Sequence, residues 1–469
     1  MEKIFQAKHI YLIGIKGVGM TALAQILKKQ GYDVSGSDTA EVFFTDQVLK
    51  HEKIEFFSGF SVNNLKNNVD LVIHSSAYNE ENNVEMKEVY RKNITTLDLA
   101  QAVGKIFNAH KKGIAVCGTH GKSTTSALLS FILKKQGFDP SAIIGSAVPQ
   151  LKGNALVGLT DLMVIEADEY NNKLKYYQPQ GVVLNNIEYD HPDFFKTFVN
   201  YQKVFKDFVQ KVPERGFVVA NFDDGNVRQI CDNLQAKVLS YTLVKDNAID
   251  NQALFAIKQE KMVRGYQHFT LYKKNKNLGE FKMKLIGVHN VQNATAVIIT
   301  CLELKVPIAG IKESLAKFTG LARRMEILGK YQGALFIDDY AHHPTEIKAT
   351  LSAIRLRYPR QKIICVFMPH TYTRTQALLD DFAKSFTSAD EVVVLPIYAS
   401  AREQRGSISG QDLADKILHN ETLRHPNVKV CYVSSLIAGA NYLKKHIHKD
   451  DMVVLMGAGD SFRIWDYMN

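Results

Sequence analysis

The segment Gly118-Thr119-His120-Gly121-Lys122-Ser123-Thr124 gathers the residue types that hold a nucleotide's phosphates. Small residues let backbone N–H groups turn inward on phosphate oxygens, a lysine reaches the outer phosphates, a hydroxyl sits on Mg²⁺, and a helix start lies behind them. Lys122 and Ser123 are the candidates for the lysine and hydroxyl roles, with Lys122 read as a charge on a surface loop. The general pattern carries another glycine where this chain has Val116. The six residues Gly118 to Ser123, taken alone, could also form an ordinary loop. The apolar run before them and Leu128, Leu129, Ile132 and Leu133 at helical spacing after them favour the phosphate loop.

Glu166-Ala-Asp-Glu169 closes an apolar run from Asp161, and His191 closes Asn185-Asn-Ile-Glu-Tyr-Asp-His191. An acidic strand end alone is more often a solvated loop, and a lone histidine more often structural. Beside a phosphate loop, carboxylate and imidazole suit a divalent-metal site, with Ser123, Glu166 and His191 as its candidate ligands. His289, Asn290 and Asn293 put polar groups on one side of a helix start, where simple capping by Asn290 is the alternative. Asp338 to Glu346, containing Asp339, Tyr340 and His342, and Pro369 to Thr375, containing His370 and Arg374, concentrate histidine, acid and arginine in two loops.

Apolar strands must deliver these groups, because ligands in open α/β sheets gather at the carboxyl ends of strands. The chain reads as α/β in three parts, 1–108, 109–320 and 321–469. In the first, an apolar run from His9 meets Gly14, Gly17, Gly19 and Met20, a helix over Thr21 to Gln30 follows, and a second strand ends at Asp38. Val69 to Ser75 reads as a buried strand and Glu81 to Arg91 as a polar helix. Gln180 to Asn185 is a strand of the central part, and Phe269 to Leu285 an antiparallel appendage around a Lys/Asn-rich turn. Leu335 to Asp339, Lys362 to Phe367, Glu391 to Pro396 and Met452 to Met456 predict a mainly parallel third sheet.

The net charge is +10 with the positive residues spread out, which favours small anionic substrates over nucleic acid or a membrane surface. The five cysteines lack metal-site spacing and read as reduced, buried filler. No signal-peptide core or membrane-length apolar run is seen, so a cytoplasmic location is expected, without membrane insertion.

Taken together and in order, GIKGVGM (14–20), GSD (36–38), GTHGKS (118–123), EADE (166–169), NIEYDH (186–191), HNVQNA (289–294), ARR (322–324), DDYAHHPTE (338–346), PHTYTRT (369–375), SAREQRG (400–406) and GAGD (457–460) resemble the Mur ligase family. The resemblance covers essentially the whole chain and is nearest to the alanine-adding branch. It implies a Rossmann-like N-terminal domain for the UDP-sugar, a central P-loop-type ATPase domain and a Rossmann-like C-terminal domain that brings the amino acid. It implies ATP and Mg²⁺ as cofactors, UDP-N-acetylmuramate and L-alanine as substrates, an acyl-phosphate intermediate, and a monomer or homodimer.

By the same resemblance, catalysis falls to Lys122, Glu166, His191, His342 and Arg374. Gly118 to Thr124, His289, Asn290, Asn293, Arg323 and Asp339 should hold ATP. The uridine diphosphate should lie on Gly14, Gly17, Gly19 and Met20 with Asp38, Ser75, Ser76 and Ala77, and the acceptor among Tyr340, His342, His370 and Arg374. Thr371 stands where many alanine-adding relatives have a second arginine. Lys203 and Lys206 fall near the place of a carbamoylated lysine in other members, with ordinary surface lysine as the default reading. The rivals are a recycling ligase that joins a tripeptide to the same UDP-sugar, a dinucleotide-dependent oxidoreductase and a non-catalytic nucleotide-binding module. The oxidoreductase fingerprint is G-x-G-x-x-G, whereas Gly14, Gly17 and Gly19 spell G-x-x-G-x-G.

Overall fold

The computed structural model describes residues 4–244, 253–274, 276–399, 403, 406–420 and 428–468. Of the expected 400–406 block, therefore, only Glu403 and Gly406 lie within the described residues.

Three sheets run in chain order. The first joins β1 (His9–Ile13), β2 (Asp33–Asp38), β3 (Glu55–Ser58), β4 (Leu71–His74) and β5 (Thr95–Asp98) in the order β3-β2-β1-β4-β5, all parallel. Such an order, with helices crossing between neighbours, is a doubly wound sheet whose switch point lies beside β1. The helix Val18–Lys29 starts three residues earlier than the apolar periodicity suggests, directly after Gly17, and so leads straight out of the glycine turn. The polar helix starts late, at Val84, because the Asn83 side chain accepts from the Glu85 and Met86 N–H groups and caps it.

The second sheet has ten strands: β6 (Lys112–Cys117), β7 (Ser141–Val148), β8 (Gly153–Leu156), β9 (Leu162–Glu166), β10 (Gly181–Leu184), β11 (Phe217–Asn221), β12 (Lys237–Leu243), β13 (Phe255–Val263), β14 (Tyr266–Lys273) and β15 (Lys276–Met283). β6 lies between β9 and β10, parallel to both, so its phosphate loop is flanked by the Glu166 and Asn185 strand ends. β13, β14 and β15 form the antiparallel appendage. The two strands Lys112–Cys117 and Leu162–Glu166 are buried along almost their whole length, as expected of parallel strands covered on both faces.

The third sheet orders β16 (Glu326–Tyr331), β17 (Ala334–Asp339), β18 (Ile363–Phe367), β19 (Glu391–Val394), β20 (Lys429–Tyr432) and β21 (Met452–Met456) as β16-β17-β21-β18-β19-β20. β17 and β18 both pair in parallel with β21, so the loops after Asp339 and Phe367 open on one edge. All five cysteines are free and four are buried. Among the described residues, no helix is long and apolar enough to cross a membrane.

Candidate active site at the meeting of three strand ends

The phosphate loop runs from β6 into the helix Lys122–Lys135. Gly118 (φ 127°) and Gly121 (φ 78°) occupy the left-handed half of conformational space. A Cβ would lie 2.9 Å from Asn186 O at the first and 2.5 Å from Asn293 Oδ1 at the second, so both positions require glycine. Lys122 is no surface charge. Its Nζ donates to Glu169 Oε2 at 2.9 Å, to Gly118 O at 2.6 Å and to Thr119 O at 3.0 Å. Burial disfavours its charge, but Glu169 and Asp168 outweigh that and keep it protonated.

The acids around the lysine fall into two groups. Ser123 Oγ donates to Glu166 Oε1 at 2.8 Å, and Gly145 N to Glu166 Oε2 at 2.6 Å. Burial raises the Glu166 pKa, against those two bonds. Asp168, Glu169 and His191 form the other group, their ligand atoms all within 4.8 Å of one another. Glu169 is fully buried and also accepts from Tyr201 Oη at 3.1 Å. His191, expected to share a metal with Glu166, is thus grouped with Glu169, 3.6 Å away. Carboxylates, a hydroxyl and an imidazole, with no thiolate, are a donor set that fits a hard divalent ion.

His120 ties this loop to the third sheet. Its Nε2 lies 3.0 Å from Glu188 Oε2 and its Nδ1 3.3 Å from Glu346 Oε1, while Thr345 Oγ1 donates to Glu188 Oε1 at 2.6 Å. Burial alone would lower the His120 pKa, but the bonds to Glu188 and Glu346 outweigh it and raise it to about 9. Glu188 is correspondingly drawn down to about 2, burial opposing and His120 and Thr345 prevailing.

A cavity of about 900 Å³ opens between the two sheets, lined among others by His120, Ser123, His289, Asn293, Arg324 and Asp339. Asn290 Nδ2 donates to Ile286 O and to His289 Nε2, so the capping and site readings of that segment coexist. Burial and nearby Arg324 lower the His289 pKa to about 4. Asp339 accepts from the Met325 and Ala341 N–H groups, fixing its carboxylate at the cavity wall.

Arg323, expected to clamp ATP, points elsewhere. Its backbone is left-handed (φ 60°), and Nη2 donates to Gly457 O and Gly459 O, both at 2.8 Å, with Nε on Asp338. Of the two adjacent arginines, Arg324 is the one that lines the cavity, 3.7 Å from Glu346.

Tyr340, His342 and His370 form a chain of ring contacts at 5.4 and 6.1 Å. Burial, aided by Arg374, depresses His342 to about 3 and His370 to about 4, leaving both neutral. Arg374 is buried and bonded to Asp190 of the central domain.

In the first domain, Gly14 (φ 86°) packs against Ser75, and Asp38 accepts from the Lys16 N–H at 2.8 Å. Gly17, Gly19 and Met20 continue into the helix start, Ser75 to Ala77 follow β4, and Ala77 N donates to Ser75 Oγ. Lys203 is exposed and paired with Asp207 at 2.7 Å.

Family models cover the chain in three pieces: Mur ligase family, catalytic domain over 9–111, Mur ligase middle domain over 116–301, and Mur ligase, glutamate ligase domain over 323–459. The UDP-N-acetylmuramate--L-alanine ligase of Alkaliphilus metalliredigens is 38% identical over 98% of this chain and 96% of its own length. The chain belongs to the Mur ligase family. The protein of that name from Desulfitobacterium hafniense is also 38% identical, over 97% of this chain and 98% of its own length. Among solved structures, the UDP-N-acetylmuramate-alanine ligase of Thermotoga maritima superposes with a TM-score of 0.81 at 25% identity, covering 98% of each chain. A murein peptide ligase from Psychrobacter arcticus shares the fold at a TM-score of 0.73 and 24% identity, again over 98% of each chain.

Glu169, Glu188, Asp190, Arg324 and Glu346 carry the site beyond the residues singled out from sequence. Each lies inside a motif already visible, EADE, NIEYDH, ARR or DDYAHHPTE, so the available signal was the block rather than the residue.

Proposed function

We propose that this ligase joins L-alanine to the carboxylate of UDP-N-acetylmuramate at the expense of ATP. The observation that carries the reading is full-length likeness, at 35–38% identity, to proteins named for that reaction. The substrate carboxylate oxygen attacks the γ-phosphorus, ADP leaves, and an acyl phosphate forms. The amino-acid nitrogen then attacks the acyl carbon, phosphate departs, and the nitrogen gives up a proton.

The chain's own groups divide this work. Asn186 takes the Thr119 and His120 N–H groups, and the free N–H groups of the helix start, from Gly121 to Ser123, cradle the phosphates. Lys122, released from Glu169, follows the transferring phosphoryl group, and preorganised positive charge from Lys122 and Arg324 lowers its barrier. Ser123, Glu166, Glu169 and His191 would hold Mg²⁺, which supplies charge neutralisation at the phosphates. His289, Asn290, Asn293 and Asp339, which all line the cavity, take the nucleoside. Arg374 anchors the acceptor's carboxylate, where a planar guanidinium suits it. His342 and His370, held neutral, flank that anchor and leave it the charged group for the carboxylate. The UDP moiety belongs on the Gly14 to Met20 turn.

The test is ADP release from ATP with UDP-N-acetylmuramate and, separately, alanine, glycine, serine and the murein tripeptide. Alanine should give the highest kcat/KM. Preference for the tripeptide would make the chain a recycling ligase instead.

A further inference from the structure

Arg374 has five N–H donors. Its Nε donates to Asp190 Oδ1 at 2.9 Å and its Nη2 to Asp190 Oδ2 at 3.2 Å, while Nη1 lies 3.2 Å from His370 Nδ1. Among the described residues two donors remain without an acceptor, the number that one more carboxylate takes side by side. The pair joins loops 184 residues apart, and both side chains are only 6% exposed.

The backbone beside each partner is unusual. His191 (φ 58°) follows Asp190, and Thr371 (φ 65°) begins the turn that carries Arg374. A left-handed conformation is costly for any residue with a Cβ, most of all a β-branched one, and persists where surrounding contacts over-determine it. Asp190 Oδ1 accepts the His191 N–H at 2.7 Å, and Thr371 Oγ1 accepts the Arg374 N–H at 3.4 Å. One carboxylate therefore shapes the turn that aims His191 at Glu169 and also grips the arginine of the opposite domain.

We infer that Asp190 is a positioning residue for the amino-acid acceptor. By occupying one edge of the Arg374 guanidinium it turns the remaining donors toward the acceptor's carboxylate, and it registers that anchor against the His191 side of the phosphate site. The inference rests on the reading of Arg374 as the acceptor's anchor. It distinguishes Asp190 from a mere stand-in that substrate displaces, because a displaced competitor would weaken acceptor binding and a positioning group strengthens it.

Asp190→Asn keeps the shape and removes the charge. Steady-state kinetics with one substrate varied at a time should show the alanine KM raised roughly tenfold. The ATP and UDP-N-acetylmuramate constants should stay within about twofold. Because the two groups act as a unit, the double variant with Arg374→Lys should lose little more alanine kcat/KM than Arg374→Lys alone. A fall in the alanine KM would make Asp190 a competitor, an unchanged one would remove it from acceptor recognition, and a common rise in all three constants would make it structural. Each of these overturns the inference. Where Asp190→Asn does not fold by thermal melting, the same split is read in Asp190→Ser, and failure of both to fold marks the residue as structural. If the wild-type protein turns over with a different amino acid, the split is measured with that one, so an error in the proposed acceptor is separated from an error about Asp190.

Discussion

His120 of the phosphate loop and Glu346 of the C-terminal domain stand 226 residues apart in sequence and 3.3 Å apart in space. With Glu188 on its other nitrogen, His120 is an imidazolium between two carboxylates that both line the cavity.

The pH dependence follows from that arrangement. A histidine whose folded pKa is raised from 6.5 to about 9 contributes stability that is fully present below its unfolded value and is lost as pH rises through the folded one. The difference in Tm between the wild-type protein and His120→Gln should therefore be largest near pH 6 and shrink toward pH 9.5. Thermal melts across that range check it, and a difference independent of pH would place the charge elsewhere.

Lys122→Ala should abolish phosphoryl transfer and, contrary to the reading of a surface lysine, also lower stability. The variant strands Glu169, whose side chain is fully buried, and breaking a buried pair typically costs about 3 to 5 kcal/mol. Adding Glu169→Gln should return much of the lost Tm and none of the activity. Equal melting of Lys122→Ala and wild type would show that the pair contributes nothing to the fold.

Glu166→Gln should raise the Mg²⁺ concentration required for activity several-fold while leaving Tm close to wild type, because the amide keeps an oxygen for the Ser123 or Gly145 donor. An unaltered Mg²⁺ titration would assign Glu166 to holding β7 at Gly145 and not the ion.

Local order explains how much of this was legible in the sequence. The strand, loop and helix around Lys122 are contiguous, as are the β14–β15 hairpin and the strands ending at Glu166 and Asp339, and hydrophobic pattern marks each. Arg323 and Arg324 show where that stops. Adjacent in sequence and equal in chemistry, they part because a left-handed backbone at Arg323 sends its side chain to Gly457 and Gly459. The His120–Glu346 and Asp190–Arg374 contacts are likewise invisible to periodicity, since they depend on how one domain's strand ends meet another's. Lys122 reads as a surface group in sequence because burial of a charge is set by its partner, and Glu169 lies 47 residues away.

The central claim, that the chain activates a carboxylate as an acyl phosphate, is tested most directly by isotope transfer. UDP-N-acetylmuramate labelled with oxygen-18 in its carboxylate is turned over with ATP, Mg²⁺ and alanine, and the released phosphate is analysed by mass spectrometry. One labelled oxygen should appear in the phosphate for each amide bond formed. Amide formation with unlabelled phosphate would contradict the account.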